Sequence, residues 1–355
     1  MTDTSATMSP VDDRGRKSAP AIVRWLRTRA AWILVLDLLL IGVFTALSRN
    51  HVFGSAANFE SLLLSVSQVL LLALGLAMLL GAGIFDLSLG ANLVLSSVVG
   101  ALVMRSFQQT PGDSSSYADP AVVILAGLGA AVATGVLFGI VNGLIIAFAG
   151  INSLIATLGT LGVGTGVALL LTGGSDVGSL PRVLQTAIGL NSVGIVPIPA
   201  IASIVIAILL WLIVRSSRYG LRTLAIGSSR SAAERAGIRV RGHLLGLTAL
   251  GGGLAGLAGF IDLTRFGSTV LSGHANDALG AVTAAVIGGT LLEGGKVSIA
   301  GAVWGAALAV ILQAGLVILG VSSFWQLIVV GVVLLLAVML DRLTALRRTR
   351  AVKAE

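Results

Sequence analysis

Long apolar runs recur from one end of this chain to the other, and nothing else in it restricts the fold as severely. They read Ala30–Leu47, Leu62–Gly81, Leu87–Met104, Ala121–Phe148, Leu154–Thr172, Ile198–Val214, Leu244–Leu263, Ala278–Leu292, Ile299–Leu319 and Phe324–Leu340. A helix rises about 1.5 Å per residue, so roughly 18 apolar residues cross the ~30 Å hydrocarbon layer of a bilayer. The pattern predicts an all-α polytopic membrane protein with about ten transmembrane helices. Barrel strands would alternate apolar and polar residues over about ten positions. These runs are instead continuous and rich in Leu, Val, Ala and Gly. The 46 glycines suit close helix approach in lipid and tolerate broken helices.

Charge sets the expected orientation. Seven arginines and a single acid, Glu234, lie between Arg215 and Arg241. An even number of crossings puts this segment, the amino-terminal tail, Lys296 and Arg342–Lys353 on one side, leaving Arg49, Arg105, Arg182 and Arg265 for the other. That bias predicts cytoplasmic termini and a cytoplasmic arginine segment, with Gln108–Asp119 and Gly173–Pro197 outside. Residues 1–29 read as a disordered cytoplasmic tail, 30–342 as the transmembrane domain with a loop at 215–243, and 343–355 as a second cytoplasmic tail. Ala30–Leu47 exceeds a usual signal-peptide core and reads as an uncleaved first helix. The net charge of +8 reflects loop bias and anionic lipid, and nucleic acid is not an expected partner.

The arginine segment carries its own fold signal. Ser231-Ala232-Ala233-Glu234 resembles a capping box, and Gly237 suits a left-handed stop, so a helix over Ala232–Ala236 is expected.

Several chemistries are excluded. With no cysteine there is no disulfide or thiolate site, and the three histidines form no pair at metal-ligand spacing. Gly294-Gly295-Lys296-Val297 departs from a phosphate-binding loop at Thr290 and Val297, so the chain has no ATPase site of its own. Gly159, Gly162, Gly164 and Gly166 lie inside an apolar run with no preceding strand, which favours helix packing over dinucleotide binding. No cofactor or metal is expected.

The polar groups within the spans are mostly neutral. Gln68, Asp86, Ser88, Asn92, Asn142 and Asn152 are the candidate solute pathway. Neutral hydrogen-bonding groups fit a polyhydroxyl solute, whereas ion-coupled carriers need intramembrane acids or histidines for coupling. Asp37 and Asp262 fall within spans, the latter near a helix end. Asp86 and Ser88 equally suit a helix cap at a re-entry turn, and Asn142 and Asn152 suit tight returns. The segment Phe85–Gly90 weakly echoes Glu293–Ser298, an acid then a serine before a rising helix, which hints at two halves.

On these residues the chain resembles the membrane permease subunits of ribose-type ABC importers. The matching stretches are Gly83-Ile84-Phe85-Asp86-Leu87-Ser88-Leu89-Gly90, then Val141-Asn142-Gly143 with Ala156-Thr157-Leu158-Gly159-Thr160. A third stretch is Ala225-Ile226-Gly227-Ser228-Ser229, Ala232-Ala233 and Gly237-Ile238. Ile84 and Ser228-Ser229 depart from the family pattern. The turn characteristic of branched-chain amino-acid permeases is missing, so sugar is the favoured solute class.

The resemblance implies an ABC importer permease fold in a bacterial inner membrane and a transport subunit rather than an enzyme. It implies a neutral monosaccharide or polyol handed over by an extracytoplasmic binding protein, a second permease chain, and a cytoplasmic ATP-binding subunit that uses ATP and magnesium. That subunit would be engaged through Arg222, Ala225, Ile226, Gly227, Ser231, Ala232, Ala233, Glu234, Gly237 and Ile238. An ion-coupled secondary transporter is the competing reading. An intramembrane enzyme has no catalytic cluster to support it.

Overall fold

The structure, a computed structural model, describes residues 29–274 and 277–322 together with isolated positions between 324 and 339. The polar tail before residue 29, most of the expected span Phe324–Leu340 and the tail 343–355 lie outside the described residues.

The chain runs α1 (Arg29–Leu47), a 3₁₀ turn (Arg49–Gly54), α2 (Ala56–Gly81), α3 (Leu89–Ser106) and α4 (Pro120–Gly143), which widens into a π turn (Leu144–Phe148). Then come α5 (Ser153–Thr172), a π turn (Leu184–Gly189), and a two-residue hairpin of β1 (Ser192–Val193) and β2 (Val196–Pro197) ahead of α6 (Ile198–Ser216). Two short helices follow, α7 (Arg218–Ser228) and α8 (Arg230–Arg235), before α9 (Val240–Phe266), α10 (Asp277–Ile287) and α11 (Ile299–Ile318). Eight of the described helices are long and apolar enough to cross a membrane. Several ends are set by local chemistry: Ser55 accepts from Asn58 N at α2, Ser298 accepts from Gly301 N at α11, and Asp119 accepts from Ala121 and Val122 N ahead of Pro120 at α4.

α2 and α9 form the centre. Leu71, Leu72, Leu74, Leu76, Leu79 and Leu80 are completely shielded along the inner half of α2. Outside them α5 turns Ile155, Val163 and Leu170 away from the protein, the lipid-facing arrangement of an apolar helix. Glycines set the closest approach. Gly135 and Gly139 of α4 press on Gly252, Gly256 and Thr248 of α9, where any Cβ would collide with facing backbone. Small residues are what allow membrane helices to meet this closely.

One expected span is corrected. The run Ala278–Leu292 becomes an 11-residue helix, α10, ending at Gly288-Gly289, with Gly289 at φ 93°. Eleven residues reach only about 16 Å, half a hydrocarbon layer. Before α10, residues 267–274 form no regular helix, and two of their backbone N–H groups are satisfied by the loop after α5. Thr269 N donates to Val177 O (3.0 Å), Val177 N donates to Thr269 Oγ1 (2.8 Å), and Asp176 Oδ1 accepts from Leu271 N (2.8 Å). Irregular backbone inside a membrane domain is stable only where protein supplies such partners.

The arginine segment is corrected too. It is helical almost throughout, as α7 and α8, and Ser229 rather than Ser231 caps α8 by accepting from Ala232 N at 3.3 Å. Glu234 pairs with Arg230 at 3.4 Å instead of reaching back to close a capping box. The stop at Gly237 is as expected, at φ 80°. Ile238 N donates to Ala233 O (3.1 Å) and Gly237 N to Glu234 O (3.0 Å), a Schellman pair.

Candidate functional site

Three polar assemblies stand out. The first closes the break between α2 and α3, where Gly83 takes φ 77°. Asp86 Oδ1 accepts from Ser88 N (2.8 Å) and Ser88 Oγ (2.6 Å). Asn142 on α4 donates to Ser88 Oγ (2.8 Å) and Asp86 Oδ2 (3.4 Å). From α5, Ser153 Oγ accepts from Phe85 N (3.2 Å) and Thr157 Oγ1 from Leu87 N (3.3 Å). Asp86, Ser88 and Asn142 are buried, so the break is a polar knot tied to two neighbouring helices. Asn92, one turn into α3, donates to Gly135 O (3.2 Å) and Gly252 O (3.4 Å) and links α3 to the glycine seam. Asn152 is exposed and caps α5 through Leu154 N (2.9 Å).

Gln68 belongs to a different assembly, one that the sequence reading missed. Its Nε2 donates to Asp277 Oδ2 (3.1 Å) at the start of α10 and lies 3.0 Å from His274 Nδ1. The His274 imidazole bridges two carboxylates, with Nδ1 at 2.7 Å from Asp277 Oδ2 and Nε2 at 3.0 Å from Asp262 Oδ2 on α9. Both ring nitrogens thus face a carboxylate oxygen. Arg265 extends the cluster, donating to Ser65 Oγ (2.9 Å) and Ser61 Oγ (3.5 Å) on α2. Asp262 is completely shielded, and His274 and Gln68 keep only 7% and 6% exposure. The sequence did carry one signal: His274 and Asp277 stand three apart at the head of an apolar run, the spacing of helical neighbours. The pairing with Asp262 and Gln68 had none, because it is made across separate elements.

This cluster borders a cavity of about 400 Å³ between α2, α9, α10 and α11. A second, of about 340 Å³, shares Ser61, Arg265 and Phe266 with it and reaches Glu60 and Leu190. A third, of about 220 Å³, shares His274 and is bounded by Leu87 and Thr165. Among the described residues no group of three His, Asp or Glu is placed to hold a metal ion.

The third assembly is the arginine segment. Ile226 is buried, Ala225 is half-buried and Arg222 is exposed on α7. Thr223 Oγ1 lies 2.8 Å from His243 Nε2, and Tyr219 packs on the same ring at 4.4 Å. Burial pushes the Tyr219 phenol up to about 12, so it stays neutral there. At the end of α7, Gly227 is wedged between two turns. A Cβ on it would strike Gly81 O at the end of α2 and Gly295 N before α11. Those turns are themselves joined by Gly295 N donating to Gly81 O at 3.0 Å. One of the two segments that echo in sequence, Glu293–Ser298, therefore abuts the end of α2 just ahead of the other. On α8, Ala233 is buried, whereas Ser231, Ala232, Glu234 and Gly237 are exposed and Ile238 is half-buried against the core.

The sequence matches the family described as "Branched-chain amino acid transport system / permease component" over residues 58–338. It is 35% identical over 298 residues to a ribose import permease protein of Bacillus subtilis, covering 82% of this chain and 87% of that one. It is 31% identical over 307 residues to a D-allose transport system permease protein of Escherichia coli, covering 86% and 89%. A galactose/methyl galactoside import permease protein of Haemophilus influenzae is 30% identical over 315 residues, covering 86% and 92%. No solved structure matches.

Proposed function

The chain belongs to the permease-component family of branched-chain amino acid transport systems, and from that premise we propose that it is the inner-membrane permease subunit of an ATP-driven importer of a neutral monosaccharide. The similar proteins are named for ribose, D-allose and galactose import, which points to sugar within a family described by amino acids. On this reading the chain binds no nucleotide. Hydrolysis belongs to a cytoplasmic ATP-binding subunit, solute arrives on an extracytoplasmic binding protein, and a second permease chain completes the channel.

The observation that carries this reading is the seat of Gly227. α8 offers an exposed face to a partner, while the end of α7 beside it is locked between the turns closing α2 and opening α11. A push on α7 and α8 reaches both turns without slack, because packed backbone transmits displacement rather than absorbing it. The group Arg222, Ala225–Gly227, Ser231–Glu234, Gly237 and Ile238 is thus assigned to the ATPase contact. Gln68, Asp86, Ser88, Asn92, Asn142 and Asn152 are assigned to the solute route and its walls, with the Asp86 knot holding the helix break in shape.

A second reading has one observation in its favour. The Asp262–His274–Asp277 bridge is the kind of buried titratable group that a proton-coupled carrier requires. Reconstitution separates the two. The permease in proteoliposomes with its ATP-binding subunit and binding protein should accumulate ribose, D-allose or galactose only when ATP is supplied. Accumulation by the permease alone under a proton gradient would overturn the proposal.

A further inference from the structure

A groove on the surface of the bundle is used by none of the three assemblies. It runs between α6 and α11, holds about 270 Å³, and is walled by Ile204, Ile208 and Trp211 on one side and Ala300, Val303 and Trp304 on the other. Ile204, Ile208, Trp211 and Ala300 are exposed, so the groove opens away from the core. Arg215, one turn beyond Trp211, lies over its ring with the guanidinium carbon 5.0 Å from the centroid. Lys296 is exposed three residues ahead of Ile299, where α11 begins. Among the described residues neither cation is paired with a carboxylate, Glu234 being taken by Arg230.

We infer that this groove seats one acyl chain of an anionic glycerophospholipid whose phosphate is met by Arg215 and Lys296. Depth is the first reason. Ile204 stands eleven residues before Arg215. That is about 16 Å along a helix, or half of the ~30 Å hydrocarbon layer. The groove therefore covers the depth of the acyl chains in one leaflet, with Arg215 at the level of the headgroups. Size is the second reason. Pockets that enclose a compact ligand begin near 300 Å³. A smaller, apolar groove suits part of a long flexible chain instead. Charge is the third. The forked guanidinium, held over Trp211, and the lysine ammonium both donate to phosphate oxygens, which a neutral or zwitterionic lipid satisfies less well. A phospholipid brings the anion and the chain at a fixed spacing, which is what cations above apolar walls require.

The site also has a place in the mechanics of the chain. α6 leads through Ser217 into α7, whose end carries Gly227, and α11 begins four residues after Gly295, the contact of Gly227. A lipid seated between α6 and α11 spans the helix that feeds Gly227 and the helix that follows its partner turn. None of this depends on which solute is carried.

The groove carries its own reporters. Trp25→Phe, Trp32→Phe and Trp325→Phe, made together, leave Trp211 and Trp304 as the tryptophans of the full-length chain. That protein is reconstituted into phosphatidylcholine vesicles containing increasing fractions of either phosphatidylglycerol or phosphatidylcholine brominated on its acyl chains, where bromine quenches indole fluorescence on contact. Half of the full quenching should be reached at a mole fraction at least fivefold lower with phosphatidylglycerol. Arg215→Gln should cut that preference about fivefold, the effect of one cation at a membrane surface, and Arg215→Lys should keep most of it. Ala300→Phe fills the groove while leaving both cations, and should cut the preference likewise. Because each preference is a ratio within one variant, changes in emission cancel. Equal quenching by the two lipids would mean that the groove takes bulk lipid, and no quenching by either that protein covers it. A preference unmoved by Arg215→Gln and Ala300→Phe would place the bound lipid elsewhere. Each of these results overturns the site.

Discussion

Asp86 shows how one residue can hold a helix break shut. Its carboxylate gathers the Ser88 backbone N–H, the Ser88 hydroxyl and the Asn142 amide, all out of contact with water. Asp86→Ala leaves those donors without an acceptor at a cost of about 1–3 kcal/mol per group. Asp86→Asn keeps the oxygen that receives Ser88. We therefore expect Asp86→Ala to lower the melting temperature of the purified protein and its sugar uptake well below those of Asp86→Asn. Equal melting curves for the two variants would reduce Asp86 to a boundary residue. The motif around Asp86 was legible because Gly83, Asp86 and Ser88 are close in sequence and each suits a turn. The partner Asn142 was legible only as a separate turn residue, since no local rule couples positions 56 apart. The same limit hid the cluster around His274. Asp262 read as a residue near a helix end and His274 as one of three unpaired histidines, while the distances that unite them belong to packing.

At the scale of elements, sequence patterns placed most helices but misjudged two short ones. The run Ala278–Leu292 has the composition of a span, and counting apolar residues makes it one. Gly288-Gly289 decides otherwise, because the second glycine adopts a conformation that ends the helix and the first abuts the backbone of Gly301. α8 slipped the opposite way. Ser229 and Ser231 are both competent caps, and a capping box with Glu234 favours the later one. The end of α7 fixes Ser229 instead by delivering it in extended geometry at φ −163°. Replacing the true cap should matter and replacing the false one should not. Ser229→Ala removes about 0.5–2 kcal/mol from the helix, whereas Ser231→Ala leaves every cap bond intact. Affinity of the permease for its ATP-binding subunit, measured for both variants, should fall for the first alone. Similar losses for both would return the cap to Ser231. Two glycines test the same element by different physics. A Cβ at Gly237 meets nothing, so Gly237→Val acts through the left-handed backbone alone, costing about 1–3 kcal/mol, while Gly237→Asn is tolerated. Gly227→Ala acts through collision with Gly81 and Gly295. Both Gly237→Val and Gly227→Ala should insert normally and lose ATP-driven uptake, and normal uptake by either would detach it from coupling.

The whole molecule raises the question of parity. Ten crossings put both ends on one side, yet α10 is too short to cross, which on a count of helices alone would reverse everything after it. We expect that it does not, and the expectation can be tested. Thr269 and Leu271, in the stretch after α9, are held by Val177 and Asp176 of the loop that follows α5, and α10 starts at Asp277. Beyond α10, the turn at Gly294-Gly295 packs on Gly81 and Gly227, beside the arginine segment. On this expectation a half-helix preceded by a half-length of bonded coil counts as one crossing. Charge agrees, because Lys296 in the turn before α11 then joins the seven arginines, while Arg49, Arg105, Arg182 and Arg265 remain opposite. Lys296 is exposed, so its side is directly measurable. In this cysteine-free chain, Lys296→Cys should react with an impermeant maleimide in inside-out vesicles and resist it in right-side-out ones, as should Arg235→Cys on α8. Labelling of residue 296 from the outside while residue 235 labels from the inside would mean that α10 turns back without crossing.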